Sequence, residues 1–221
     1  MRYILIPVKD LTRAKQRLAG LMTQTERTQL AWAMLENTLA VVNRVTAADR
    51  IAVVTLYKPA ITLAESYGIE VIPEAEQISE SVSVDFGSRE VTKRGAQSVL
   101  RLPIDLPLIT VEDIEMILFC EQEGNSSMPS VVIVPSREGT GTNAILRRPP
   151  ALFPSHFGAG SLAKHLKEAE RANAECKVIN LPRVALDIDE PEDLAELFKH
   201  QQNSQVSEWL KDLKIEERLN R

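Results

Sequence analysis

The stretch Leu102-Pro103-Ile104-Asp105-Leu106-Pro107-Leu108 closes an apolar run. A carboxylate at the end of a buried strand costs desolvation unless a partner answers it. Pro107 lacks a ladder donor, which predicts a strand stop just after the acid. Asp105 is thereby placed at the carboxyl end of a central strand, where open α/β sheets bind their ligands. A carboxylate there suits Mg²⁺ held against phosphates. The competing reading is a strand-end acid that merely caps a helix beginning near Thr110.

Outward from this stretch, strands and helices alternate. Apolar runs predict strands at 3–8, 51–56, 69–72, 98–104, 131–135 and 177–181, with 144–148 extended. Thr23-Gln24-Thr25-Glu26 has the form of a capping box. Behind it Leu30, Ala33, Met34, Asn37 and Val41 recur with a helical period. Further helices are expected at 59–67, closed by Gly68, at 83–95 with Gly87 as a weak point, and at 111–120, 161–171 and 191–199. Gly124-Asn125-Ser126-Ser127 reads as a loop. The alternation predicts an α/β fold with a mostly parallel sheet covered on both faces. Residues 136–157 break the rhythm and are expected to form a small antiparallel excursion that walls the site.

The chain has 221 residues, 26% charged and 44% hydrophobic, with a net charge of −5. These values describe a soluble domain and argue for neither a nucleic-acid nor a membrane partner. No apolar run reaches membrane-spanning length and the first residues lack signal-peptide form, so a cytoplasmic protein is expected. Cys120 and Cys176 have no metal-type spacing, and His156, His165 and His200 suggest no zinc site. Residues 1–200 read as one domain and 201–221 as a C-terminal helical extension. In that extension Val206, Trp209, Leu210 and Leu213 fall at helical spacing. They either pack on their own domain, the preferred reading, or dock on a second subunit in a homodimer.

Four further segments can carry chemistry. Lys9, Arg13, Lys15 and Arg17 crowd a loop directly after the first strand, where a triphosphate needs charge neutralisation. The loop has no glycine before Gly20, so it is neither a P-loop nor a dinucleotide fingerprint. Gly139-Thr140-Gly141-Thr142-Asn143 offers close backbone approach and polar groups, or is an ordinary turn. Phe157-Gly158-Ala159-Gly160-Ser161 opens a helix with Ser161 as N-cap, which predicts outward N–H groups for an anion. His165 lies one helical turn further on. Asp187 and Asp189 share one face of an extended segment before Pro191. Asp187 is taken as the second metal carboxylate, because Asp189 is more easily explained as a helix cap. No nucleophile elbow or triad is evident.

In combination, several of these segments resemble the guanylyltransferases of deazaflavin coenzyme (F-420) biosynthesis. The resemblance rests on Ile6-Pro7-Val8-Lys9 with Ala14-Lys15-Gln16-Arg17-Leu18, on Asp105-Leu106-Pro107-Leu108, and on Gly141-Thr142-Asn143-Ala144. It rests also on Phe157-Gly158 with Gly160-Ser161 and His165, and it spans residues 3–197. It implies a Rossmann-like sheet of the nucleotidyltransferase type. The implied reaction is transfer of GMP from GTP to the phosphate of 2-phospho-L-lactate, phosphoenolpyruvate or 3-phospho-D-glycerate, with release of pyrophosphate. It implies Mg²⁺ on Asp105 and Asp187, and acceptor binding by Thr142, Gly158 and Ser161. Nucleotide binding is implied for Pro7, Lys9, Lys15, Ser83 and Asp105, with Lys15, Arg17 and Asp105 catalytic. Two departures stand out: Ser81-Val82-Ser83 replaces the usual Gly-Leu-Asn, and Ser136 stands where an acid is common. The alternatives are a molybdopterin-type or sugar-phosphate nucleotidyltransferase, or a nucleotide-binding protein that has lost catalysis.

Overall fold

The computed structural model describes residues 1–122, 128–200 and 205–219. In chain order the strands are β1 (Arg2–Pro7), β2 (Arg50–Thr55), β3 (Glu70–Pro73), β4 (Ser98–Arg101), β5 (Ser130–Pro135), β6 (Thr142–Arg148) and β7 (Glu175–Val178). The described helices are α1 (Gln24–Val42), α2 (Lys58–Ser66), α3 (Glu80–Lys93), α4 (Val111–Gln122), α5 (Ser161–Arg171), α6 (Pro182–Ala185), α7 (Pro191–Lys199), α8 (Gln205–Asp212) and α9 (Ile215–Leu219). The strands form one sheet in the order β3-β2-β1-β4-β6-β5-β7. All neighbours run parallel except β6, which is antiparallel to both β4 and β5. The expected antiparallel excursion is therefore the β5–β6 hairpin.

Side-chain alternation along the strands separates two cores. Ile4 and Ile6 of β1 join Val53, Leu100, Leu146 and Val134 beneath α1, α2 and α4. Tyr3 and Leu5 join Ala52, Val54 and Val99 on the opposite face, against Val84 and Val91 of α3. Beyond them Val131, Ile133 and Ile145 meet Phe153 and Ala169 of α5. The capping box of α1 forms as expected, with Thr23 and Glu26 bonding each other's backbone N–H groups. Leu30 and Met34 bury on a different side from Ala31, Leu35, Leu39 and Val42. The expected stripe thus marks the side of α1 that meets the C-terminal helices, while a second apolar face covers the sheet.

Several boundaries differ from the sequence reading. β4 stops at Arg101, before Pro103 rather than at Pro107, because Pro103 already withdraws a ladder donor. Only the Leu102 N–H continues the pairing, to the Leu5 carbonyl at 3.1 Å. α3 starts at Glu80 because Ser79 caps it, its hydroxyl accepting from Val82 N–H. Gly87 is no weak point: a Cβ there would lie 2.5 Å from Val54 Cγ2 and 2.9 Å from Leu5 Cδ2. β7 begins at Glu175, and the turn of α6 was not anticipated. The loop expected at 124–127 lies outside the described residues. Val206, Leu210 and Ile215 pack against Leu30, Met34, Leu194 and Leu197 of the same chain. None of the described helices is long and apolar enough to cross a membrane.

Candidate active site

The site lies at the carboxyl ends of β1 and β4, where the segment after α6 crosses the sheet. Ile188 N–H donates to the Asp105 carbonyl at 3.1 Å, which sets residues 186–190 beside the loop after β4. Asp105, Asp187 and Asp189 thereby line one cavity of about 360 Å³. Lys15 Nζ sits between two of them, 2.8 Å from Asp105 and 3.0 Å from Asp189. Lys15 holds a left-handed backbone with φ 54°, a strained conformation for a residue with a Cβ. Burial works against the Lys15 charge, but Asp105 and Asp189 outweigh it and hold its pKa above the ordinary value. Burial likewise pushes Asp105 up, and Lys15 and Arg101 more than reverse the effect, so its carboxyl titrates low.

Asp187 behaves oppositely. Burial and the neighbouring Asp105 raise its carboxyl to about 6, with Asn143 pulling weakly the other way. The Asn143 amide lies 3.0 Å from Asp187 Oδ1 and bonds the carbonyls of Val184 and Ala185. It clamps the late segment to the start of β6. Asp189 does not cap α7. Glu190 is the N-cap, and Asp193 accepts from the N–H groups of both Asp189 and Glu190. The Asp189 carboxylate is thus free to pair with Lys15. The cap argument for preferring Asp187 over Asp189 falls away; what separates the two acids is that Asp189 pairs with Lys15 while Asp187 meets the Asn143 amide. Asp105 and Asp187 line the same cavity and sense each other's charge, an oxygen pair of the kind a divalent cation takes, although no group of three or more acid, histidine or cysteine side chains is gathered for a metal among the described residues.

The opposite wall is built by β6 and the opening of α5. Thr142 Oγ1 lies 3.1 Å from His165 Nδ1, and His165 Nε2 accepts from His156 N–H at 2.9 Å. An accepting Nε2 puts the ring proton on Nδ1, so the imidazole donates to Thr142. The hydroxyl hydrogen of Thr142 is then left to donate elsewhere. Burial first, then the Arg147 charge, lowers the His165 pKa to about 3 and keeps the ring neutral. Gly158 has φ +106° and Gly160 +66°; a Cβ at either would meet no protein atom within 4 Å. These glycines serve a backbone conformation that side chains rarely adopt. Gly160, rather than Ser161, is the N-cap, and Ser161 is the first residue of the helix. Two opening N–H groups are already used, Ser161 on Gly158 and Leu162 on Thr140, both at 3.1 Å. The anion site expected there has fewer free donors than the sequence suggests.

Of the sequence-predicted residues, Asp105, Asp187, Thr142, Gly158, Ser161 and Arg17 all line the cavity. Lys15 joins them through its two ion pairs. Arg17 lies 3.1 Å from Glu190 and is largely exposed. Pro7 is buried in β1 opposite Val54, and Lys9 is exposed beyond the strand end; neither lines the cavity. Ser83 is buried and its hydroxyl lies 2.6 Å from Glu74 Oε2, also away from the cavity. Sequence reasoning missed Arg101 and Glu80; it named Asn143 as a polar group of its turn but not as the clamp on the late segment. Arg101 left a signal: a full charge inside the run Val99-Leu100-Arg101-Leu102. Its guanidinium is buried, pairs with Glu80, and lies 4.1 Å from the centre of the Phe157 ring.

Comparison with known proteins bears on the family and the fold. The family model "Guanylyl transferase CofC like" matches residues 1–221. A phosphoenolpyruvate guanylyltransferase of Rubrobacter xylanophilus is 35% identical over 195 residues, covering 88% of this chain and 92% of the relative. A 3-phospho-D-glycerate guanylyltransferase of Colwellia psychrerythraea is 32% identical, covering 86% and 88%. A 2-phospho-L-lactate guanylyltransferase of Methanobrevibacter smithii is 29% identical, covering 96% and 91%. Among solved structures, a protein of Desulfovibrio desulfuricans G20 described as a nucleotide-diphospho-sugar transferase superposes with a TM-score of 0.79. It is 16% identical, covers 98% of this chain and 97% of its own, and so speaks for the fold alone. The carboxylates brought together by the loop after β4, the wall built by β6 and α5, and a family match along the whole length lead to one conclusion: the chain belongs to the CofC-like guanylyl transferase family.

Proposed function

We propose that this protein transfers GMP from GTP to the phosphate of a three-carbon phospho-acid in deazaflavin coenzyme biosynthesis. The acceptor class comprises phosphoenolpyruvate, 2-phospho-L-lactate and 3-phospho-D-glycerate. The observation that carries the reading is the cavity itself: Asp105 and Asp187 face the wall of Thr142, Gly158 and Ser161 across a single space. A cavity lined by both acids and hydroxyl and N–H donors suits a reaction between two phosphate-bearing substrates. The acceptor's phosphate oxygen is already anionic, so it needs positioning more than activation. It attacks the α-phosphorus of GTP in line, the bond to the β-phosphate oxygen breaks, and pyrophosphate leaves.

Asp105 and Asp187 would hold Mg²⁺, which when bound supplies charge neutralisation to the phosphates. Thr142 and Ser161 orient the acceptor with hydroxyl donors, and Gly158 lets its backbone approach. Lys15 keeps Asp105 ionised and stands ready to stabilise charge as pyrophosphate departs. Arg17, exposed at the cavity edge, is placed to meet the outer phosphates. Because Ser83 is turned toward Glu74, guanine selection falls to other groups.

The test is incubation of the protein with Mg²⁺, each nucleoside triphosphate in turn and each acceptor, with mass spectrometry of the product. A GMP-linked three-carbon acid formed from GTP alone is the expected result. GTP binding without product on any acceptor would replace this reading with a binding protein. Product from another acceptor class would make it a different nucleotidyltransferase.

A further inference from the structure

The acceptor wall lacks an evident cation. Thr142, Gly158 and Ser161 offer hydroxyl and N–H donors only, while Glu80, Asp105, Glu138, Asp187 and Asp189 all line the same cavity. Lys15 and Arg17, the other cations here, are paired with Asp105, Asp189 and Glu190, so a phospho-acid carrying both phosphate and carboxylate would still meet repulsion unless positive charge lay at this wall itself. Arg101 is so placed. Its side chain is 5% exposed and lines the cavity. Its Nη1 donates to the carbonyl of Asn143 at 2.9 Å and more weakly to that of Thr142 at 3.4 Å. Phe157, just before Gly158, covers its face. These contacts hold the guanidinium against both elements that form the acceptor wall.

The guanidinium is incompletely satisfied. Nη2 meets one oxygen of Glu80, while Nε is buried with no hydrogen-bond partner. A buried, half-paired cation is costly, and Nε with Nη2 forms the fork that binds two oxygens of a carboxylate or phosphate. Glu80 sits in the first turn of α3 with its side chain 30% exposed, so it can leave without disturbing the sheet. Burial already lowers the Arg101 pKa to about 10, against the pull of Asp105 and Asp187, yet it stays charged at neutral pH.

We propose that Arg101 is the anchor for an anionic group of the acceptor, and that Glu80 is a resident counter-ion which the acceptor displaces. The acceptor class rests on the function proposed above; the anion site rests on the residues just described. Entry of the acceptor exchanges one carboxylate for another on the same guanidinium. Affinity for the acceptor is then set by competition with Glu80 as well as by the hydroxyl donors.

The experiment compares wild type with Arg101→Met, Glu80→Gln and the double variant, each substrate varied separately. Arg101→Met is expected to raise the acceptor's KM roughly ten- to a hundredfold, as loss of a charged hydrogen bond predicts, with the KM for GTP within about twofold. Glu80→Gln is expected to lower the acceptor's KM several-fold, because the competitor is gone. The double variant should keep the high acceptor KM, and it serves where Arg101→Met alone folds poorly with Glu80 left unpaired. If Glu80→Gln raises the acceptor's KM, or if loss of Arg101 changes both KM values alike, the pair is structural and the proposal is overturned. Where wild type turns over no acceptor, the function proposed above fails and calorimetry decides the anchor separately. Phosphoenolpyruvate bound by wild type and at least tenfold more weakly by Arg101→Met supports it. Equal binding, or none to wild type, overturns it.

Discussion

At the scale of single residues, three carboxylates with similar sequence surroundings have different jobs because of what faces them. Asp105 is answered by Lys15 and Arg101 and stays ionised. Asp105→Asn removes that charge but keeps a hydrogen-bond acceptor near Lys15, which Asp189 still pairs. We expect turnover to fall at least a thousandfold with the melting temperature nearly unchanged; a folding collapse with residual activity would make Asp105 structural. Asp187 pays for its position, since its carboxyl is raised to about 6. An unfolded aspartate titrates near 3.9. Between these values the folded state keeps a proton that the unfolded state has lost. The contribution of Asp187 to stability therefore falls as pH rises through that window and stays low above it. Asp187→Asn should raise the melting temperature at pH 7.5, in chelator, by about 2–4 °C, and not at pH 4, while activity is lost. Melting curves of both proteins at the two pH values check the sign. The acids were legible in the sequence because a charge interrupting an apolar run is conspicuous. Arg101 was equally conspicuous in that sense, but its partner Glu80 lies 21 positions away on another element. Nothing local in the sequence joins the two.

At the scale of elements, local signals were read well and long-range ones poorly. The capping box of α1, Gly68 after α2 and the proline opening of α7 each depend on a few adjacent residues, and each forms. The start of α3 is set by the Ser79 cap, a local signal the sequence reading passed over, whereas the role of Gly87 depends on what packs across the sheet. Gly87→Ala makes the point testable. Alanine gains about 1 kcal/mol of helix propensity, yet its methyl would overlap Val54 and Leu5. Overpacking of this kind costs about 1–3 kcal/mol. A net drop in melting temperature is expected, and a rise would show that β1 and β2 yield easily. The opening of α5 carries the companion prediction. Ser161→Ala removes one hydroxyl donor from the acceptor wall. The acceptor's KM should rise about ten- to a hundredfold and that for GTP little, the scale of one hydrogen bond to a charged group. The opposite pattern in steady-state kinetics would assign this wall to the nucleotide.

At the scale of the whole molecule, the C-terminal helices complete a core rather than decorate it. Val206, Leu210 and Ile215 are fully buried against α1 and α7. Each is worth about 1.5–3 kcal/mol as an upper bound, so ending the chain at residue 200 should cost most of a typical domain's margin. A largely insoluble product, or a melting temperature lower by more than 10 °C, is expected. Arg218→Ala is the milder comparison: it breaks a partly exposed pair with Glu26 at 2.9 Å and should cost less than about 1 kcal/mol. The ion pairs of Lys15 have a further consequence, in time rather than in space. Lys15 leaves the ribosome before Asp105, and Asp105 before Asp189, yet Lys15 Nζ lies within 3.0 Å of both acids. Strand β1 must likewise wait for β4 before its second neighbour exists. A nascent chain therefore emerges with a lysine that has neither of its two acid partners and a cavity lacking its late acids. A translation product arrested before residue 187 carries the residues of all seven described strands but neither Asp187 nor Asp189, so its cavity lacks two of the acids that line it.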